Sequence, residues 1–182
     1  IFKIKRAIRQ ILKPYIYLSH DGLLDHIGQS QILPYLKVYS KKTTVYLITF
    51  EKEFNLSRAK ILKKKLEEDT QIKWIYFKYH KNIVCKFYDF IKLTLFTLFF
   101  SKKNNINFIH CRSYFPAISI YFLNHFLKYN FLFDIRDFWA DEGIEIKKYK
   151  IIYKLVKLLE GKIIQKSCHV VCLTQKAKNF IL

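Results

Sequence analysis

Three short segments of the sequence concentrate side chains that could bind or transform a charged ligand. The first, SHDGLLDHIGQSQ (residues 19–31), combines two of the four glycines with two aspartates and two histidines. The second is HCRSY (110–114), and the third is RDFWADEG (136–143). Guanidinium groups clamp phosphate oxygens, carboxylates and imidazoles exchange protons, and glycine lets a ligand approach the backbone. Together the segments predict a site for a phosphorylated or otherwise anionic ligand.

Each of these side chains has a functional and a structural interpretation. Gly28 precedes a predicted helix whose N-terminus can hold an anion, or it serves only as a turn glycine. Arg112 and Arg136 are candidates for a phosphate clamp, although Arg136 alternatively pairs with Asp137 or Asp141. Those two carboxylates lie one helical turn apart, where they alternatively serve only as helix-capping groups. Both interpretations stay open at this point.

The remaining candidates are histidines, carboxylates and one tryptophan. His20 and His26 are candidate bases in the first loop, and His110 ends a strand, where a histidine with a satisfied hydrogen bond is the alternative. Trp139 is either a platform for the ligand or a core residue. For catalysis the candidate set is His110, Arg112 and Asp25. For substrate binding it is Gly22, Gly28, Gln29, Ser30, Arg112, Ser113, Arg136, Asp137, Trp139 and Glu142.

Several well-known chemistries lack their sequence signature. The chain has no G-x-G-x-x-G fingerprint, no P-loop, no zinc-type spacing and no G-x-S-x-G elbow. An aromatic RNA-binding sheet signature is also absent, so nucleic acid is a less favoured partner. We therefore expect no metal site and no cofactor.

The elements that position the three segments follow from the pattern of apolar residues. Strand-like runs occupy 15–19, 43–50, 72–78, 106–111, 131–136 and 168–174, and helix-like spacing lies between them, most clearly over 148–166. This alternation predicts an α/β fold, a doubly wound Rossmann-like parallel sheet of about six strands with helices on both faces. In the usual order 3-2-1-4-5-6, strands 1, 4 and 5 are neighbours, so the three segments meet at one edge.

Composition bounds the partners and the compartment. The 182 residues suit one domain, 14–182, which follows a basic segment, 1–13. The net charge of +19 reflects either a solvated lysine-rich surface or an anionic partner such as a membrane, nucleic acid or a phosphorylated ligand. Four cysteines without a C-x-x-C pair and no secretory signal indicate free thiols in a reducing, cytoplasmic setting.

The segment 83–100 is rich in aromatic and aliphatic residues. Its longest unbroken apolar run, 93–100, has eight residues, whereas a membrane span needs about 20. We expect either a crossover helix packed wholly against the sheet or a helix that binds the anionic inner surface of the cell membrane peripherally. In the second case Phe96 and Phe99 would face lipid, and Lys86 and Lys92 would face headgroups.

Four segments, taken in order, resemble a known family. They are YLSHDGLLDHIGQSQILPYLK, HCRSYFPA, FDIRDFWADEG and CLTQKAK, and together they are similar to the N-terminal half of family 4 glycosyltransferases of the GT-B fold. The resemblance implies one acceptor-side Rossmann-like domain facing a donor domain, which binds a nucleotide sugar as co-substrate. It also implies a metal-independent transferase, such as a hexosyltransferase, acting on a polysaccharide or lipid-linked acceptor in cell-envelope biosynthesis.

The sequence departs from that family in three respects. The Gly-Gly pair of the first loop is Ile27-Gly28 here, and Arg112 occupies the slot of a proposed catalytic histidine, with His110 two residues earlier. Arg112 therefore carries over as a ligand contact and not as a proton donor. No donor domain follows within the chain, so we expect half an enzyme, a fragment or a split gene product, inactive alone. The alternatives are a non-catalytic module that binds a membrane surface or nucleic acid, and a nucleotide-sugar epimerase.

Overall fold

A computed structural model of the protein describes residues 13–52, 55–138, 141 and 150–181. Trp139, Glu142 and nearly all of the basic segment 1–13 lie outside the described residues. The account of the fold and of the site below concerns the described part of the chain.

The centre of the fold is one sheet of six parallel strands, each paired in parallel register with its neighbours. The strands are β1 Tyr15–Ser19, β2 Val45–Glu51, β3 Ile72–Lys78, β4 Phe108–Arg112, β5 Asn130–Ile135 and β6 His169–Cys172. Their order is β3-β2-β1-β4-β5-β6, which confirms the order predicted from the alternation of strands and helices. Every residue of β1 and of β4 is buried, as expected for strands covered on both faces.

Helices cover both faces of the sheet. They are α1 Leu33–Ser40, α2 Leu56–Asp69, α3 Ile83–Lys103, α4 Tyr114–Leu123, α5 Lys150–Lys166 and α6 Gln175–Ile181, and a π-helical turn, Gly28–Ile32, leads into α1. The core divides accordingly into two clusters. Leu36 of α1 and Leu66 of α2 pack on one face of the sheet. Leu93 of α3, Ile120 of α4 and Ile163 of α5 pack on the other.

Short polar side chains set where helices begin. The side chain of Asn55 accepts a hydrogen bond of 2.9 Å from the amide of Arg58 at the start of α2. Asn82 does the same for the amide of Val84 at the start of α3, at 3.2 Å. Asparagine is among the preferred N-cap residues because its side chain satisfies one of the unpaired amides of the first turn.

The long helix α3 is the crossover from β3 to β4. It packs on the sheet through Asp89, Leu93 and Thr97, all of which are fully buried. Among the described helices, none combines the length and the apolar character that crossing a bilayer requires. Of the two alternatives for this segment, the crossover helix is observed, but it does not pack wholly against the sheet, since the outer face of α3 exposes several large apolar side chains.

The register of the sheet places three polar residues side by side. Ser19 of β1 pairs with Arg112 of β4, and Arg112 pairs with Asp134 of β5. The chain leaves β1 toward one face of the sheet and β4 toward the other. A crevice opens at such a switch point, at the carboxyl ends of the strands, and it is the usual ligand site of this architecture.

Candidate functional site

The loop after β1 is held by a buried carboxylate from the end of the neighbouring strand. Glu51 is fully buried, and its two oxygens accept hydrogen bonds from the amides of Leu23 and Leu24, at 2.8 and 2.9 Å. The hydroxyl of Thr49 donates a third at 2.6 Å, and Trp74 Nε1 donates to Thr49 in turn at 2.8 Å. Hydrogen bonds to a carboxylate are stronger than neutral ones, so Glu51 fixes the shape of this loop.

Sequence reasoning missed Glu51. It follows the apolar run TTVYLITF directly, and the strand predicted over 43–50 ends one residue before it. An acid that closes a buried strand at the binding edge of a parallel sheet must find hydrogen-bond donors, and that was the signal available in the sequence.

Both glycines of the first loop are required by contacts within the protein. A Cβ atom on Gly22 would lie 2.5 Å from Glu51 Oε2. A Cβ atom on Gly28 would lie 2.1 Å from the carbonyl oxygen of Gly22 and 2.6 Å from Leu23 Cα. Both atoms near Gly28 belong to the backbone, which cannot rotate away as a side chain can. Gly28 therefore allows the loop to pack on itself, which accounts for this glycine without reference to a ligand.

Other polar residues of the first loop also stabilise it. Gln29 Nε2 donates a hydrogen bond of 2.5 Å to the carbonyl of Leu23, and the amide of Gln29 donates to the carbonyl of Asp25 at 3.0 Å. The hydroxyl of Ser30 donates to the carbonyl of His26 at 2.7 Å. The predicted binding residues Gln29 and Ser30 thus have side-chain partners in their own loop and its helical turn.

Arg112 is the candidate with the most unusual environment. Its residue exposure is only 2%, and its Nη2 donates a hydrogen bond of 2.7 Å to Gln31 Oε1. Asp21 Oδ2 lies 3.7 Å from its Nε. Nε and Nη1 are buried and make no hydrogen bond of normal geometry with a described residue, although the hydroxyl of Tyr17 interacts with the guanidinium. A buried guanidinium with unused donors is costly unless an anion completes the site.

The positive charge of Arg112 also acts on its surroundings. Burial raises the pKa of Tyr17 to about 12, and the guanidinium of Arg112 opposes that rise.

The two aspartates of the first loop pair with a lysine near the protein surface. Lys52 Nζ lies 3.3 Å from Asp21 Oδ1 and 3.8 Å from Asp25 Oδ2. The two aspartates of the first loop therefore lie at the rim of the site, paired with a lysine.

Ser113 links β4 to α4 through strained backbone. Its φ of 67° and ψ of −177° fall in a region that L-residues rarely adopt. Its amide donates to the carbonyl of Asp134 at 2.8 Å, and its hydroxyl lies 3.4 Å from Asp137 Oδ1. The turn brings the N-terminus of α4 next to Arg112. Unpaired amides at that end of a helix attract anions.

His110 is a core residue and not a group at the end of the strand. It is 4% exposed, and its ring centroid lies 4.3 Å from that of Tyr17. Burial lowers the pKa of His110, so the ring is neutral, and Nε2–H faces Asp134 Oδ2 at 3.2 Å. Burial alone would raise the pKa of Asp134, but His110 and Arg136 outweigh it and hold that pKa below its ordinary value.

The ion pair of Arg136 differs from the alternatives considered from sequence. Its Nε lies 2.8 and 2.9 Å from the two carboxylate oxygens of Asp134, not beside Asp137 or Asp141. Asp141 accepts a hydrogen bond of 2.7 Å from Lys157 Nζ of α5. The structural interpretation of Arg136 as an ion-pair residue holds, with the partner corrected to Asp134.

A second network attaches the third segment to the helical layer. Lys157 Nζ also donates to Glu160 Oε1 at 2.8 Å, and the hydroxyl of Tyr114 donates to Glu160 Oε2 at 2.5 Å. Glu160 is 5% exposed. This arrangement connects the first residue of α4 to α5 and to Asp141, so it supports the N-terminus of α4 from behind.

His20 lies between aromatic rings. Its centroid is 4.0 Å from that of Phe115, in a stacked arrangement, and 5.0 Å from that of Tyr79. Its Nε2 is buried and makes no hydrogen bond to any described residue. Burial lowers the pKa of His20 to about 4, so this ring is neutral near pH 7 and packs as an aromatic side chain.

The structure thus brings one part of the predicted set together and separates another. The carboxyl edge brings together Arg112, Ser113 and the rim aspartates Asp21 and Asp25. His110 and Arg136 instead contact the carboxylate of Asp134. Two surface cavities, of about 490 and 280 Å³, lie at the opposite edge, beside residues that precede strands. They contain none of the candidate residues.

Comparisons with known proteins report similarity of fold only. The chain matches no known protein-family profile and no curated protein sequence. It is similar to a glycosyltransferase from Rickettsia africae ESF-5, at 17% identity and a TM-score of 0.45, over 72% of this chain and 33% of that one. It also matches the U34-tRNA thiolase NcsA from Methanococcus maripaludis with its [4Fe-4S] cluster, at 17% identity and a TM-score of 0.32. That match covers 68% of this chain and 49% of the thiolase, so the chain spans at most about half of either protein.

Proposed function

We propose that this chain is the acceptor-side, N-terminal domain of a family 4 glycosyltransferase with a GT-B architecture. The enzyme would transfer a sugar from a nucleotide sugar to a polysaccharide or lipid-linked acceptor. Support comes from the four ordered segments of the sequence and from the six-stranded sheet in the order 3-2-1-4-5-6. The carboxyl edge of that sheet is where this architecture binds ligands.

The observation that carries the proposal is the environment of Arg112. Two of its three guanidinium nitrogens are buried without a hydrogen-bond partner in the described part of the chain. A phosphate oxygen would accept from one of these nitrogens, and a second oxygen from the remaining hydrogen of Nη2, which completes a two-pronged contact that lysine cannot reproduce. The N-terminus of α4, beginning at Tyr114, would add backbone donors to the same group. A phosphate of the donor or of a lipid-linked acceptor fits this chemistry.

The roles in sugar transfer follow from charge. A nucleotide leaves with negative charge growing on its phosphate oxygens, and preorganised donors that face this charge lower the barrier. Arg112 would supply that stabilisation. Asp21 and Asp25 at the rim would orient acceptor hydroxyl groups, and the loop held by Glu51 would keep them in place. The nucleotide sugar itself would be bound mainly by a second domain that faces this edge.

An activity assay tests the proposal directly. Labelled nucleotide sugars would be incubated with lipid and polysaccharide acceptors, together with either the 182-residue chain or a longer protein that joins it to a donor domain. We expect transfer only with the longer protein. Arg112→Lys in that protein should lower kcat/KM by about tenfold to a hundredfold, since lysine loses one prong of a charge-assisted contact.

The matched control is Arg58→Lys, at an exposed position in the first turn of α2. It should leave kcat/KM unchanged. Robust transfer by the 182-residue chain alone would refute the need for a second domain. Equal values of kcat/KM for the Arg112 and Arg58 variants would show that Arg112 does not contact the ligand.

A further inference from the structure

The outer face of α3 carries a continuous stripe of exposed apolar side chains. Their spacing of three and four residues places them on one side of the helix, opposite the buried Asp89, Leu93 and Thr97. The stripe consists of Val84 (73% exposed), Phe87 (66%), Tyr88 (56%), Ile91 (42%), Leu95 (47%) and Phe99 (66%). A helix that is apolar on both faces is expected only where both are covered.

Two further aromatic residues extend this stripe across the neighbouring helix. Phe122 of α4 is 45% exposed, and Phe126, just after α4, is 87% exposed. The rings of Phe90 and Phe122 lie 6.5 Å apart, which joins α3 to α4. We call these two residues and the six of α3 the outer apolar patch. Exposed apolar surface of this extent marks an interaction site.

The chain around the outer apolar patch is almost free of negative charge. Residues 83–133 contain a single acid, Asp89, which is fully buried and hydrogen-bonded to the amide and ring of His80, at 3.1 and 2.8 Å. Three exposed lysines lie at one end of the patch: Lys102, Lys103 and Lys128. The hydroxyls of Ser101 and Tyr129, 2.6 Å apart, hold the segments that carry these lysines together.

Two lysines take positions other than those expected from sequence. Lys92 Nζ lies over the ring of Phe77 at 4.4 Å, and Lys86 Nζ lies over the ring of Tyr79 at 5.8 Å. Both contacts direct the ammonium groups toward β3 and the segment that follows it, and Lys92 Nζ also lies 5.9 Å from the ring centroid of Tyr88. The lysines placed to meet a charged surface are therefore Lys102, Lys103 and Lys128.

We propose that the outer apolar patch docks on an anionic lipid bilayer. Its aromatic and aliphatic side chains enter the interface between headgroups and acyl chains, while the exposed lysines contact phosphate groups. A symmetric second copy of this chain fits less well, since both copies carry a net charge of +19 and the contact region lacks exposed acids to balance the lysines. Lipid binding requires no sugar transfer, so this inference is independent of the proposed function.

Vesicle sedimentation tests the docking surface. The protein is mixed with phosphatidylcholine vesicles that contain or lack phosphatidylglycerol, at low and high salt. We expect binding to the anionic vesicles that weakens steeply with salt, because screening acts on the lysine contribution. Combining Phe87→Ser, Phe99→Ser and Phe126→Ser should lower the partition coefficient by at least about tenfold, since three rings no longer leave water.

A matched control removes the same number of exposed apolar side chains from the opposite helical layer. It combines Val38→Ser, Leu56→Ser and Ile61→Ser, which are 61%, 48% and 71% exposed. These changes should leave vesicle binding unchanged. Circular dichroism and thermal unfolding of each variant show that a loss of binding is not a loss of fold.

A second pair of variants tests the charges. Replacing Lys102, Lys103 and Lys128 by glutamine should weaken binding to anionic vesicles severalfold. Replacing Lys41, Lys60 and Lys65 on the other layer removes the same charge and should have a much smaller effect. Equal effects of the two sets would overturn the proposed orientation.

Other outcomes would overturn the proposal. Equal recovery of protein in the supernatant with and without phosphatidylglycerol would show that the patch does not bind an anionic bilayer. Self-association in sedimentation velocity that disappears with the three phenylalanine substitutions, without vesicle binding, would identify the patch as a contact between copies. Vesicle binding that survives those substitutions in a folded protein would place the membrane contact elsewhere.

Discussion

The amide of Leu23 donates a hydrogen bond of 2.8 Å to the carboxylate of Glu51, although 28 residues separate them in sequence. The end of β2 thereby holds the loop that follows β1. Because Glu51 is fully buried and also receives the amide of Leu24 and the hydroxyl of Thr49, its geometry leaves the loop little freedom. The rim of the candidate site thus depends on a carboxylate whose oxygens are both occupied by donors of the protein itself.

Glu51→Gln should destabilise the protein by about 2 kcal/mol. The neutral amide keeps one acceptor oxygen but sets its NH₂ group against one of the two backbone amides, so a charge-assisted hydrogen bond is lost. Urea unfolding monitored by tryptophan fluorescence measures the change. Glu67→Gln, an exposed position on α2, is the control and should change stability by less than about 0.5 kcal/mol. A Glu51 variant as stable as the control would show that the loop does not depend on this carboxylate.

Gly28→Ala should destabilise the fold by about 3 kcal/mol. The added methyl group would lie 2.1 Å from the carbonyl oxygen of Gly22, and backbone must move to admit it. The same substitution at Gly161, within α5, meets no atom within 4 Å and should stabilise the protein by up to about 1 kcal/mol. Thermal unfolding of both variants gives the comparison. A Gly28→Ala variant with the same melting temperature as the wild type would contradict this prediction. It would mean that the loop backbone moves apart to admit the methyl group at no cost in stability.

Stability should fall as the pH drops below the ordinary histidine pKa of 6.5. The pKa of His20 is about 4 in the folded protein, so between these values the unfolded chain binds more protons than the folded one. The unfolding free energy therefore rises with pH across this window, and His20 contributes about 3 kcal/mol to the change. The buried His110, whose pKa is also lowered, adds a change of the same sign.

His20→Phe isolates the first of these contributions. Phenylalanine keeps the stacking on Phe115, and the ring nitrogen Nε2 has no described hydrogen-bond partner to lose. The variant should show a markedly smaller loss of stability between pH 6.5 and 4 than the wild type. Val38→Ser, an exposed change that removes no ionisable group, should retain the full slope. Identical slopes for wild type and His20→Phe would contradict the assignment.

The sheet could be predicted because each strand and helix has a recognisable pattern of apolar residues within its own stretch of sequence. Apolar runs of strand length alternate with helical spacing, and the predicted runs 15–19 and 72–78 coincide with β1 and β3. The right-handed crossover rule then leaves few strand orders, and the observed order is the common one. The predicted run 106–111 ends one residue before β4 does, so the sequence puts His110 nearer the strand end than the structure, where it is buried.

Side-chain partners were less predictable because they depend on register between distant segments. Asp134 of β5 faces His110 of the neighbouring strand β4, 24 residues earlier in sequence, and the same carboxylate pairs with Arg136. Gln31 meets Arg112 across 81 residues of sequence. No local pattern encodes these distances, whereas the choice of the carboxyl edge as the site needed only the topology.

The measurement that tests the central claim most directly is binding of a phosphate group at Arg112. Inorganic pyrophosphate would be titrated into the protein while the arginine Nε–Hε signals are followed by NMR, with the Arg112 signal assigned from its absence in Arg112→Lys. The account predicts a saturable shift of that signal, a dissociation constant about tenfold weaker in Arg112→Lys, and no change in Arg58→Lys. An Arg112 signal that stays in place throughout the titration, or equal affinity in all three proteins, would contradict it.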